Sequence, residues 1–221
     1  MTVIVEGLLE GVEGALAPAR AAPLRVLARR GRLQVVAHRD ARRRAPPRAL
    51  FGAAVEQLIG DSSLAAELVG GTHVTIYLHP RDYHRVHAPV SGRVERVVAI
   101  PGRLLPVNDA ALDRNPELFT VNERLVHVQR TDSGPVVTVM VAAFGVGHMT
   151  CSYLGTRIHP REVETFECEP PVEIDRGEEL GMFHLGSTVV VLTGAGHSPA
   201  PSLTHGPTRL GTGMLVRGGV V

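Results

Sequence analysis

The chain has 221 residues with 23 basic and 22 acidic side chains, for a formal charge of +1. That balance excludes the strongly basic footprint of a nucleic-acid binder, although Arg is dense from Arg20 to Arg48. No lysine occurs among the basic residues, which rules out any enzyme that forms a Schiff base through a lysine amine, and two cysteines, Cys151 and Cys168, are too few for a disulfide framework or a four-thiolate metal site.

The length suits one domain with a sizeable core. In chain order, Val5, Leu8, Leu9, Val12 and Leu16 recur at helical spacing, with Glu6, Glu10 and Glu13 interleaved, so residues 1–16 predict a peripheral amphipathic helix. Gly7, Gly11 and Gly14 weaken it, each by about 1 kcal/mol relative to Ala, and docking onto the core or a membrane must supply the difference. From Ala17 to Leu50, short apolar runs alternate with Arg and predict a hairpin followed by a solvated loop.

Leu50, Val55, Leu58, Ile59, Leu64 and Leu68 predict one or two short helices, separated by a capping signal at Asp61 to Ser63. Beyond Gly70, the segments "THVTIYLH", "GRVERVVAI", "RLVHVQR", "VVTVMVAAF" and "STVVVLT" are rich in β-branched residues and bounded by turn formers. Only a Gly/Pro-rich tail is expected after Gly194. The chain therefore predicts an α+β fold, a mostly antiparallel β core with short helices concentrated in the N-terminal third.

The longest apolar stretch, Val136 to Gly147, is about half of the roughly 20 residues needed to cross a bilayer, and no signal-peptide architecture opens the chain. The expected location is cytoplasmic, or peripheral on the inner face of the membrane, with no transmembrane segment.

The segment "YLHPRDYHRVHAPVSG" places His79, Asp82, His84 and His87 within nine residues, and imidazole titrates closest to neutral pH. Proton-transfer chemistry is expected here. In extended backbone Asp82 and His84 share one face while Tyr83, Arg85 and His87 share the other, so both imidazoles reach one site only if the chain bends near Ala88-Pro89. Two alternatives stay open: a zinc site built on two or three of these histidines, although no familiar helix-borne ligand pair accompanies them, and a purely structural cluster.

That segment, together with "IPGRLLPVN" (Ile100 to Asn108), "LFTVNERLV" (Leu118 to Val126), "VAAFGVGHM" (Val141 to Met149), "GMFHLGSTVVVL" (Gly181 to Leu192) and "PTRLGTGMLV" (Pro207 to Val216), resembles the phosphatidylserine decarboxylase family in order and spacing. The resemblance implies a proenzyme in which Ser187 attacks the Gly186 carbonyl, splitting the chain into residues 1–186 and 187–221. The second piece would begin with a pyruvoyl group derived from Ser187, the covalent cofactor. Its ketone condenses with a substrate amine, and the adjoining amide carbonyl takes up electrons as the carboxylate leaves. Gly186 is expected in a strained turn.

By the same resemblance His87 takes the serine proton during self-cleavage, and His84 sits by the substrate carboxylate and helps protonate the product. The family's upstream aspartate, which orients the base histidine, is matched locally by Arg20 in "APARAA". An alternative alignment on "GVEGAL" offers Glu13 as the orienting carboxylate, with Asp40 and Asp82 as weaker substitutes. The implied reaction converts phosphatidylserine to phosphatidylethanolamine, with the cleaved fragment as non-covalent partner. A homodimer is compatible with it, no nucleic acid is involved, and no metal is assigned. Two other readings remain: a soluble decarboxylase of a free amino acid or small serine conjugate, and a non-catalytic scaffold that has lost maturation.

Overall fold

β-Branched side chains pack well on a pleated surface, and the valine-rich runs form the centre of the molecule. The computed structural model describes residues 33–36, 55–69, 71–107, 111, 114–115, 117–195, 197–200, 206–213 and 215–217. Its strands are β1 (Leu33–Val36), β2 (Thr72–Tyr77), β3 (Arg85–His87), β4 (Gly92–Ile100), β5 (Arg124–Thr131), β6 (Gly134–Val141), β7 (Met149–Cys151), β8 (Thr156–Ile158), β9 (Glu164–Ile174), β10 (Glu179–Phe183), β11 (Thr188–Thr193), β12 (His197–Pro199), β13 (Gly206–Thr208) and β14 (Leu215–Arg217). They form an eight-stranded sheet in the order β13-β1-β2-β11-β6-β5-β4-β9, a four-stranded sheet β3-β10-β7-β8 and the pair β12-β14. Every strand pair among the described residues is antiparallel.

Alternation sends one set of side chains to each face of the large sheet. On one face Ile76, Leu78, Met140, Ala142 and Val189 join Val86, Met149, Leu180 and Phe183 of the small sheet in one buried cluster. On the other, Val137, Val139, Val141, Val190 and Leu192 pack with Leu58, Ile59, Leu64 and Leu68. These four come from a helical stretch at 55–59 and from helix α1 (Ser62–Glu67) with the residue that ends it. The Asp61 carboxylate caps α1 by accepting from the Leu64 N–H at 2.9 Å, and it also meets the Arg96 guanidinium at 2.7 Å. The cap hydrogen bond, aided by Ser63 and Arg96, holds the Asp61 carboxyl below its usual range.

The five strand segments and the Asp61 cap appear where the sequence places them. Other features differ. A further short helix, α2 (Leu118–Val121), lies mid-chain. The segment after Gly194 contributes β12, β13 and β14. The longest strand, β9, carries an exposed, glutamate-rich sequence with Pro170 and Pro171. Among the described residues it pairs only with β4, at the sheet edge, where missing N–H donors are tolerated. Cys151 and Cys168 are buried free thiols. No helix among the described residues is long and apolar enough to cross a membrane. The amphipathic segment at 1–16, the hairpin expected before Leu50 apart from β1, and Glu13, Arg20 and Asp40 lie outside the described residues.

Candidate active site

Two connections run side by side between the sheets, residues 78–84 leading from β2 to β3 and residues 184–187 leading from β10 to β11. Backbone hydrogen bonds tie them at both ends: the Leu78 N–H donates to the Ser187 carbonyl at 2.6 Å, and the Phe183 N–H donates to the His84 carbonyl at 2.9 Å. Between these ties Gly186 lies on the backbone of the facing connection. A Cβ at Gly186 would stand 2.5 Å from Pro80 N and 2.6 Å from the Leu78 carbonyl oxygen, so no other residue fits without moving the main chain. Gly186 is not among the glycines with positive φ. The expected turn strain is therefore corrected: close backbone approach, not a left-handed conformation, demands glycine here.

Ser187 is fully buried, and its hydroxyl donates to the Val141 carbonyl of β6. The register places Thr188 opposite Tyr77 on one side and Val141 on the other, so Ser187 falls opposite Leu78 and Ala142. One strand further, the Ala142 N–H donates to the Glu123 carbonyl at 2.8 Å. Ser187, Ala142 and Glu123 thus form one cross-strand row facing the small sheet.

His84 and His87 part company. His84 is half-buried, and its Nε2 has no hydrogen-bond partner among the described residues. Burial pushes its pKa down. His87 is 8 % exposed, and its Nδ1 lies 2.5 Å from the Gly177 carbonyl. A carbonyl only accepts, so Nδ1 carries the hydrogen and Nε2 is the basic nitrogen of the neutral ring. Burial pushes the His87 pKa down as well, more strongly than the Gly177 contact raises it. Gly177, in a turn at φ +87°, presents that carbonyl. Tyr83 stacks on His87 with ring centroids 6.3 Å apart.

Tyr83, Arg85 and His87 line a cleft of about 520 Å³ with Tyr153, Glu178 and Glu179, while neither His84 nor Ser187 lines it. This is the partition that strand alternation predicts when no bend folds the two imidazoles onto one site. Asp82 spends its carboxylate on its own turn, accepting from the His79 N–H at 3.0 Å. His79 accepts from the Arg81 N–H at 3.2 Å. Among the described residues no group of three or more His, Cys, Asp or Glu side chains is arranged to hold a metal ion.

Residue spacing does not mark Asn122, Glu123 and Arg124, yet all three are buried beside this region. Asn122 clips two loops together: Oδ1 accepts from the Leu105 N–H at 3.1 Å, and Nδ2 donates to the Leu105 and Ala142 carbonyls, each at 2.9 Å. The Arg124 guanidinium donates to the Leu58, Gln57 and Asn122 carbonyls, and burial pulls its pKa to about 10, still charged at neutral pH. The Glu123 carboxylate meets His159 Nδ1 at 2.8 Å, and burial raises its pKa. The available signal was a polar triplet abutting the apolar run "LVHV", a pattern that reads equally well as a turn leading into a strand.

Comparison with known proteins adds the decisive observation. The sequence model of the family described as phosphatidylserine decarboxylase matches residues 49–216, three quarters of the chain. The chain belongs to the phosphatidylserine decarboxylase family. Proteins named phosphatidylserine decarboxylase proenzyme are similar to it. That of Pseudomonas entomophila (strain L48) is 42% identical over 171 residues, 75% of this chain and 58% of the relative. That of Pseudomonas aeruginosa (strain LESB58) is 44% identical over 144 residues, 63% of this chain and 50% of the relative. The chain thus spans little more than half the length of these curated relatives. The family match takes in His84, His87, Gly186 and Ser187, and begins after Glu13, Arg20 and Asp40.

Proposed function

We propose that this chain is a pyruvoyl-dependent carboxy-lyase that converts phosphatidylserine to phosphatidylethanolamine after its own Ser187 cleaves the Gly186–Ser187 bond. The observation that carries the reading is the paired connection itself. It holds a buried serine hydroxyl directly after a glycine whose Cα face is pressed on Leu78 and Pro80, within a chain of the decarboxylase family.

In the cleavage step the Ser187 oxygen bonds to the Gly186 carbonyl carbon and the peptide nitrogen leaves. Elimination across Cα and Cβ of residue 187 then opens the ester, releasing the Gly186 carboxylate and leaving a dehydroalanine, whose imine tautomer adds water and loses ammonia to give the ketone. A base must take the hydroxyl proton that the Val141 carbonyl accepts in the uncleaved arrangement. By the family resemblance His87 is assigned that role and Glu13 the role of orienting it. Because the Gly177 carbonyl holds Nδ1 and the cleft that His87 lines does not include Ser187, the role requires the ring to leave that contact and turn toward the serine. His84, whose buried Nε2 lacks a partner among the described residues, is assigned to the substrate carboxylate and to product protonation.

The residues present suit a pyruvoyl group at position 187: the site is buried, and no side chain intrudes from position 186. When formed, the group supplies a ketone for the substrate amine and a conjugated carbonyl as electron sink. The Leu78 N–H is already directed at the Ser187 carbonyl oxygen, an atom that cleavage retains, and a donor on that oxygen favours negative charge there. The cleaved pieces, 1–186 and 187–221, would stay joined, because β11 is hydrogen-bonded between β2 and β6 of the other piece.

Intact mass of each polypeptide tests the reading. Freshly purified protein should give two pieces, with residue 187 lacking its amino nitrogen, and should release carbon dioxide from phosphatidylserine vesicles. An intact chain carrying an ordinary serine would remove the cofactor. Cleavage with release only from free serine or a small serine conjugate would move the substrate to the soluble class.

A further inference from the structure

Four large apolar side chains are exposed among the described residues: Val69, Phe144, Val163 and Leu185. Two of them meet at the Ser187 connection. Leu185 lies two residues before the serine, and Phe144 three residues after Val141, whose carbonyl takes the serine hydroxyl. Phe144 is 75% exposed at the tip of a tight turn closed by the Val146 N–H donating to the Ala143 carbonyl at 2.8 Å, with Gly145 at φ +80°. A Cβ on Gly145 would lie 3.2 Å from Leu185 Cδ2, and one on Gly147 would lie 3.0 Å from Leu104 Cδ1. Three loops, at 103–105, 143–147 and 184–186, therefore come together beside the serine connection; Leu104 and Leu105 pack on the core, and Phe144 and Leu185 are the apolar side chains left outward.

Charge adds to this. Exposed Arg81 follows the proline on which Gly186 rests, and exposed Arg103 precedes Leu104. In the four loops around Ser187, including 79–83, the one acidic side chain is Asp82, whose carboxylate is held by the His79 N–H. The β9 edge of the sheet, to one side of these loops, differs. β9 displays Glu164, Glu167, Glu169 and Glu173, and it is four strand positions from β11, about 19 Å at ordinary strand spacing.

We propose that the loop tips around Ser187, led by Phe144 and Leu185 and flanked by Arg81 and Arg103, are the surface with which this chain sits on an anionic phospholipid bilayer. The proposal rests on the reading that the substrate is a bilayer lipid. A fully buried serine can meet a head group whose acyl chains stay in the membrane only if the rim of its own site reaches the interface, because drawing two acyl chains into water is prohibitive. Apolar tips enter the head-group boundary, arginines pair with anionic lipid, and the acidic β9 edge is repelled, so the chain is oriented as well as bound.

Flotation of the full chain with phosphatidylcholine vesicles, with and without phosphatidylserine, tests this without requiring turnover. Wild type should float with the phosphatidylserine-containing vesicles and release as salt rises. Phe144→Asp should bind more weakly by about tenfold or more, the scale of losing one buried aromatic side chain. Arg103→Gln should lose affinity only for vesicles that contain phosphatidylserine, and Val163→Ser, distant in sequence from these loops, should match wild type. Phe144→Asp floating like wild type, Val163→Ser losing as much as Phe144→Asp, or flotation that needs an added protein fraction would overturn the proposal. Fragment masses judge the cleavage reading separately: cleaved protein that does not float sinks the surface alone, and floating protein that never cleaves sinks the chemistry alone.

Discussion

His84 and His87 are three residues apart, yet one borders the serine connection and the other lines a cleft that the serine does not share. Around Ser187 the polar groups are few and buried, and a backbone contact fixes the geometry. Around His87 the walls are charged and open, with Arg85 and Glu179 paired at 2.6 Å. The difference shows how a short strand divides the work of one motif, because odd and even positions of β3 and its approach face opposite ways. Two jobs, cutting the chain and handling the substrate proton, can then be given to two imidazoles with separate surroundings.

The largest expected effect tests the serine side alone. Ser187→Ala should leave the chain whole on a denaturing gel and release no carbon dioxide, because both the attacking oxygen and the source of the ketone are gone. A cleaved Ser187→Ala chain would place the scission elsewhere.

The histidines come next. His87→Ala should slow self-cleavage by about 10²–10⁴-fold, the usual worth of a positioned general base. His84→Ala should still cleave but lose carbon dioxide release. Burial pushes both imidazoles below the usual 6.5, so each stays neutral, and able to accept a proton, to a lower pH than a free histidine. Cleavage measured against pH should therefore be flat above 6.5 and fall only below it, and His87→Ala should remove that fall. A pH profile unchanged in His87→Ala would transfer the base role away from the cleft.

Gly186→Ala separates geometry from chemistry. The added methyl would meet Pro80 N at 2.5 Å, so the two connections must part. Displacement by about 1 Å commonly costs about 100-fold in rate, which predicts slow cleavage with every catalytic group still present. A cleavage rate equal to wild type would mean that the close approach is incidental.

These tests also mark where the sequence was legible. The β-branched runs that became β5, β6 and β11 are buried on both faces of a covered sheet, so continuous apolar composition announces them, while β2 and the start of β4 are buried mainly on one face and are announced by their β-branched residues between turn formers. β9 is not announced because an edge strand with one exposed face can be mostly glutamate and proline and still pair. Gly186 and Ser187 were legible as a motif. The reason for the glycine was not, since only the folded chain brings Pro80, more than a hundred residues away in sequence, against it. Asn122 and Glu123 escaped for a related reason: their partners at Leu105, Ala142 and His159 come from other segments.

The smallest predicted effect concerns the wall behind the cleft. His127 on β5 is buried, with Nδ1 against the Tyr153 hydroxyl, and Tyr153 lines the cleft. Burial pushes the phenol pKa well up, so the hydroxyl keeps its hydrogen beside the imidazole. The same burial pulls His127 down to about 3. The folded state therefore refuses a proton that the unfolded chain binds near 6.5. Above that pH the site contributes no pH dependence. As pH falls from 6.5 toward 3, stability is lost at about 1.4 kcal/mol per pH unit. Urea unfolding of wild type and His127→Gln at neutral and mildly acidic pH measures the slope. His84 and His87 add a slope of the same sign to both proteins, so the wild type should be steeper by the His127 share. Equal slopes would mean that the imidazole is hydrated, and that the cleft wall is as wet as the cleft.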